Sequence, residues 1–225
     1  MSRFTLTPTL AALPLLMAMG VNGLAEPDRQ EAEVRRSPAK SPSATEVPAE
    51  AAAVVAFWRA AGPGLWFAKD EAFDRRFRER FLAAHEAATR GELAGWAVSA
   101  EGAMALVILL DQLPRNAFRG TARMYATDAE ARRIADAAIK AGHDLAFENE
   151  LAKFFYLPFA HSEDMADQER SVELARRLGE PDLSHALGHR DTVRRFGRFP
   201  HRNPILGRSM SPAERQYLEN GGFKG

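Results

Sequence analysis

The sequence predicts an all-α protein of about eight helices, and three observations carry that expectation. Apolar residues recur at helical spacing: Phe73, Phe77 and Phe81 fall at i, i+4 and i+8 on one face. Capping chemistry punctuates the chain, with TDAE at 127–130 and SPAE at 211–214 both spaced as capping boxes. No stretch alternates apolar and polar residues around a hairpin turn.

Taken in order, AEAAAVVAFWRAAG (49–62) forms a first helix stopped by Gly62 and Pro63. A second, about 70–90, carries the phenylalanine row and His85 and ends at Gly91. The third starts at Ser99. Its AMALVILL (103–110) is apolar on every side, which predicts a central helix surrounded by others, closed by Pro114. Thr127 and Glu130 open a fourth that runs to Gly142. ENELAKFFYL (148–157) is a fifth, halted by Pro158. Ser162 caps a sixth to Gly179, and residues 181–197 are a seventh. The last, 211–222, has Ser211 as cap, Pro212 at its first position, Glu214 closing the box and Asn220-Gly221 as its stop. No repeat of solenoid length is visible.

A chain of 225 residues, 46% of them hydrophobic, fits one domain of ordinary size plus a tail. The helical domain is expected over 48–222. Residues 1–25 have the outline of a secretory signal peptide, with Arg3, an apolar run, and Gly23 and Ala25 before a cleavage point. The run is short for a membrane span, and Pro8 and Pro14 interrupt it. Export is expected if that segment is a signal, and a cytoplasmic location otherwise. Residues 26–47, rich in charge, serine and proline, read as a disordered linker.

Thirty acidic residues balance thirty basic ones, so no global field draws the chain to nucleic acid or an anionic membrane. The absence of cysteine removes thiolate metal sites and cysteine nucleophiles. No GxSxG, P-loop or dinucleotide glycine pattern is present, and no cofactor is expected. His185 and His189, at i and i+4, could share a metal, but a third ligand is missing from the pattern, so no metal is expected.

Polar residues interrupt the apolar logic at several points. Asp111 follows the apolar run directly and needs a cationic partner, for which Arg115, Arg119 and Arg123 are near in sequence. His189 lies on the stripe of Ala186, Val193 and Phe196, and Gln168 falls near the stripe of Met165, Val172 and Ala175. His161 and Glu163 flank Ser162 at a helix start. Together these residues suggest a common polar interior. HRDTVRRFGRFPHRNPILGR (189–208) then adds six arginines against one acid on a backbone broken by Gly197 and Pro200. Arginine stays charged when partly buried and grips anions with a planar fork, so this stretch reads as one wall of a site.

The segments LWFAKDEAFD, LLDQLPRNAFRGTARMYATD, YLPFAHSEDMADQ and HRDTVRRFGRFPHRNPILGR, in this order, resemble the bacterial family known as domain of unknown function 924. The resemblance spans about 50–222. It implies an antiparallel helical array like that of tetratricopeptide repeats and no established activity. It also implies that Asp111, Arg115, Asn116, Arg119, His161, Glu163, His189, Arg198, His201, Arg202 and Asn203 occupy the family's polar motif positions. Leu113 and Met210 depart from the pattern at the level of packing.

Two functions compete. In the first, an anionic small molecule or peptide binds a pocket lined by Arg115, Asn116, Arg119, Arg198, His201, Arg202 and Asn203. In the second, a hydrolase or lyase uses His189 or His161 as general base, oriented by Asp111 or Glu163. The mutual geometry of Asp111, His161, Glu163 and His189 bears on the choice.

Overall fold

The computed structural model describes residues 47–225. The signal-peptide reading of 1–25, and the linker reading of 26–47 apart from Val47, lie outside the described residues. The helices are α1 (Ala49–Ala61), α2 (Pro63–Trp66), α3 (Glu71–Thr89), α4 (Ala100–Val107), α5 (Leu113–Ala117), α6 (Asp128–Lys140), α7 (Asn149–Ala160), α8 (Met165–Ala175), α9 (Asp182–Phe196) and α10 (Pro212–Glu219). A π-helical turn, Ile108–Gln112, joins α4 to α5 in one continuous rod. Counted so, nine helices and no strand are present among the described residues. The helix added to the expected eight is α2, for which Pro63 supplies the first turn rather than a stop.

The α4–α5 rod is the axis of the fold. Every residue from Gly102 to Pro114 is buried, and α4 packs against α1, α6 and α7. Gly102 is required by a close approach: a Cβ there would stand 2.0 Å from the Trp96 carbonyl oxygen. Beside the rod, Phe73 and Phe77 of α3 stack on Phe57, and Trp58 meets Trp66 and Phe154 in an aromatic layer. The Trp66 indole N–H donates to the Trp58 carbonyl at 2.6 Å, which orients that layer. On the far side, α7 packs on α6 and α8, and α8 on α9.

The structure corrects four local readings. Pro114 does not close the third helix. It lacks the N–H that the Leu110 carbonyl would accept from in α register, and the π turn redistributes the mismatch, with Leu113 N–H donating to Ile108. The freed carbonyls find side chains: His85 Nδ1 lies 2.9 Å from Leu109 O, and Thr127 Oγ1 donates to Leu110 O at 2.5 Å. Thr127 is therefore not half of a capping box, since its hydroxyl serves the neighbouring rod instead of the α6 backbone.

Pro158 likewise sits inside α7. Buried Phe159 anchors the last turn, and the Gln168 amide donates to the Ala160 and Ser162 carbonyls at 2.8 and 2.6 Å. Gln168 thus closes a helix end through its amide N–H groups, while its Oε1 is buried without a partner. The cap of α8 is Asp164, whose carboxylate accepts from Ala166 N and Asp167 N, while Ser162 donates to Asp167. The capping box of α10, with Ser211, Pro212 and Glu214, forms as the sequence predicts. No helix among the described residues is long and apolar enough to cross a membrane.

Thr127→Val should destabilise the protein by about 1–3 kcal/mol by leaving a buried carbonyl unpaired. In a Pro114→Ala background the same change should cost less, because residue 114 then offers an N–H to Leu110. A double-mutant cycle in chemical denaturation reads the difference.

Candidate functional site

The π turn does more than accommodate Pro114. It sets Asp111 inside the rod instead of at its carboxyl end, with a carboxylate that is fully buried. Two groups donate to it, Gln112 Nε2 at 2.6 Å and His161 Nδ1 at 2.8 Å, and Arg115 forms an ion pair with it at 3.0 Å while its Nη1 donates to the Asp111 backbone carbonyl at 2.7 Å. Burial opposes ionisation of Asp111, but Arg115 and His161 outweigh it and hold the carboxyl below the usual range. His161, at the carboxyl end of α7, is pushed below its ordinary value by burial and by Arg115, against the pull of Asp111. The stable arrangement is therefore a carboxylate that accepts from a neutral imidazole at Nδ1–H, which leaves Nε2 with a lone pair.

From Asp111 the charges alternate outward. Arg115 also forks onto Asp128, the first residue of α6, at 2.9 and 3.0 Å. Both Asp128 oxygens are thereby engaged, and the guanidinium of Arg202 stands 3.8 Å away, beyond hydrogen-bonding distance. Arg202 ends a short 3-10 turn, Pro200–Arg202, after Gly197 has stopped α9 in the left-handed conformation. It is 7% exposed and close to two rings, 4.5 Å from the centre of Tyr125 and 4.6 Å from that of Phe199. Its Nε is buried without a hydrogen-bond acceptor. Burial and the nearby Arg115 lower its proton affinity.

Phe199 connects this guanidinium to the histidines. His189 meets its ring edge-on at 5.7 Å, and His201 lies 5.7 Å from it on the chain's own turn. Phe223 covers both imidazoles, at 4.3 and 5.1 Å. His189 Nδ1 lies 2.7 Å from the His185 carbonyl, so that nitrogen must carry the hydrogen and Nε2 the lone pair. Burial lowers both imidazoles to about 4; the backbone bond resists this at His189, and Arg202 adds to it at His201. Glu163 completes the wall by accepting from Phe199 N at 2.8 Å and from Arg208 at 2.6 and 3.0 Å. A cavity of about 330 Å³ opens beside His189 and Phe223, bounded also by Ser184, His185 and Tyr217.

The structure brings Asp111, Arg115, His161, His189, His201 and Arg202 into one connected cluster, with Glu163 behind Phe199. It does not bring the other candidates there. Asn116 and Arg119 bind Asp74, at 2.7 and 2.5 Å, and tie α5 to α3. Arg198 and Asn203 both donate to Glu214 and hold the start of α10. Arg123 pairs with Glu86. Among the described residues no three His, Asp or Glu side chains are grouped to hold a metal ion.

Sequence reasoning passed over Tyr125, Asp128, Phe199, Arg208 and Phe223. Asp128 sits within TDAE, where a complete local explanation, the capping box, diverted attention from a long-range partner. Tyr125, Phe199 and Arg208 lie within the quoted motif segments but on no periodic stripe that would single them out, and Phe223 lies beyond those segments.

A family model described as bacterial protein of unknown function (DUF924) matches residues 54–222, about three quarters of the chain. The chain belongs to this family. The solved structure of a protein of unknown function from Agrobacterium tumefaciens is 58% identical to it. That match covers 78% of this chain and 100% of the other, with a TM-score of 0.77. None of the curated proteins matches the chain. Membership thus agrees with the all-helical fold and leaves the DUF924 site to be interpreted from its own chemistry.

The two depressed imidazoles make a pH prediction. Between the ordinary value of 6.5 and about 4, the unfolded chain takes up protons at His189 and His201 that the folded chain refuses. Stability should therefore fall as pH drops through that window, by up to about 1.4 kcal/mol per pH unit for each imidazole. Thermal melts from neutral to acidic pH should show the decline, and His201→Leu should flatten it.

Proposed function

We propose that the chain binds a small anion, or the carboxylate of a peptide, with Arg202 as its principal contact. One observation carries this reading: a buried guanidinium in contact with the rings of Tyr125 and Phe199, whose nearest carboxylate is 3.8 Å away and already forked onto Arg115. Burying a charged donor without an acceptor costs several kcal/mol, and a carboxylate or phosphate oxygen pair would supply the missing bonds. Contact with the two rings restricts the side chain before the ligand arrives, which reduces the ordering cost of binding. Asp111, Arg115 and Asp128 serve as the frame that holds the charge pattern in place. The packing of α6 on α7, α7 on α8 and α8 on α9 supports the tetratricopeptide-like array implied by the family resemblance.

A second reading, a hydrolase or lyase, is favoured by the Asp111–His161 pair. A buried carboxylate that fixes Nδ1–H of a neutral imidazole leaves Nε2 able to take a proton, which is the arrangement a general base needs. His161 is the base in this reading and Asp111 its positioning residue.

Under the binding reading, millimolar phosphate or citrate should raise the melting temperature of the wild type, by the equivalent of about 2.7 kcal/mol at a hundredfold excess over Kd. Arg202→Gln should abolish the rise while changing intrinsic stability by less than about 1 kcal/mol, since no protein hydrogen bond is lost. A collapse of stability in Arg202→Gln, with no anion effect in the wild type, would show the guanidinium to be scaffolding.

A further inference from the structure

The segment that follows α10 lies across two imidazoles, and its attachment is slight. Gly221, at φ +83°, turns the chain back, and Gly222 passes so near Tyr217 that a Cβ there would stand 2.5 Å from the ring. Phe223 is thereby laid against His189, Phe199 and His201, at ring separations of 4.3, 5.9 and 5.1 Å. Beyond it, a Cβ at Gly225 would stand 3.0 Å from Nε2 of His201, so backbone as well as ring covers that imidazole.

One chain of hydrogen bonds fastens this cover to α9, and its direction is determined. The Thr192 hydroxyl gives its single hydrogen to the Gly188 carbonyl at 2.8 Å, so toward Tyr217, 2.9 Å away, it can only accept. The Tyr217 hydroxyl therefore donates to Thr192 and accepts from the Phe223 N–H at 3.0 Å. Among the described residues no other hydrogen bond holds Phe223, Lys224 or Gly225. Phe223 is itself only half-buried, whereas Phe199 beneath it is fully buried. Two surface cavities, of about 390 and 330 Å³, are both bounded by Tyr217, Gly221 and Gly222, which leaves the glycine pair room to swing.

We propose that residues 221–225 form a latched strap, with Gly221 and Gly222 as its hinge, the Tyr217 hydroxyl as its latch and Phe223 as a stopper over His189 and His201. Opening it bares both imidazoles and extends the cavity beside His189 into the space the ring had filled. A ligand that needs either imidazole binds the open form alone, so its apparent affinity is reduced by the fraction of chains that are open. The strap follows from its own contacts and does not depend on anion binding at Arg202.

Acylation of the histidines of the full chain by diethyl pyrocarbonate, followed residue by residue by mass spectrometry, tests the strap. At about pH 7.5, above the ordinary imidazole value, opening does not change reactivity through protonation. His185, which is exposed, serves as the standard for the reagent, and His85, 3% exposed on α3, reports global unfolding. Tyr217→Phe keeps the ring and removes the latch, and Phe223→Ala removes the stopper. His189 and His201 should react at least about threefold faster in Tyr217→Phe than in the wild type, the equivalent of one lost hydrogen bond. They should react faster still in Phe223→Ala, with His85 unchanged in both variants. Acceleration in Phe223→Ala alone would show a fixed cover without a latch and overturn the strap. An unchanged rate at either imidazole in Phe223→Ala would overturn the stopper. If His85 accelerates by the same factor as His189 and His201, the imidazoles are reached through global unfolding, and the strap is overturned as well.

Discussion

The buried carboxylate of Asp111 is the constraint around which this protein is arranged. An uncompensated charge in the interior is prohibitive, so its three partners are obligatory, and they are Gln112 beside it, Arg115 one turn on and His161 at the end of α7. Meeting that demand joins the α4–α5 rod to α7 and aims Arg115 at Asp128. The position of α6 follows, because Asp128 is its first residue. What remains is a guanidinium, Arg202, held beside a carboxylate that has no free oxygen to give it.

Pro114 makes this geometry possible. An uninterrupted α-helix would satisfy its own carbonyls and would need nothing from its neighbours. Removing one N–H forces a π turn, and the carbonyls of Leu109 and Leu110 then recruit His85 from α3 and Thr127 from the start of α6. The same turn carries Asp111. A local defect in the central rod is therefore what couples packing to the polar cluster, in keeping with the frequent placement of π turns at functional sites.

The cluster also separates two uses of arginine. Arg119, Arg198 and Arg208 each fork onto a carboxylate and bind a nearby backbone carbonyl, which fastens loops to helices. Arg202 has aromatic faces in place of acceptors. Of the six arginines within twenty residues, the sequence singles out Arg198 and Arg202 alike, and only their partners separate the scaffold from the candidate site.

Much of the fold was legible in the chain itself, since it depends on local chemistry. The phenylalanine row of α3, the uniformly apolar α4 and the capping box of α10 are properties of residues three or four apart, and such spacing determines which face is buried and where a helix starts. The errors arose where a local rule met a tertiary competitor. Pro114 and Pro158 end helices when nothing compensates, but here distant side chains do, and Thr127 gave its hydroxyl to a carbonyl seventeen positions away. The polar cluster was legible only in outline. Asp111, His161 and His189 announce themselves as polar residues among apolar ones, whereas their pairing with Asp128, and the enclosure of Arg202 by Tyr125 and Phe199, depend on how four separate segments converge. Hydrogen bonds and ring contacts between such segments leave no periodic trace, so tertiary structure alone decided which charges are satisfied and which one is left open.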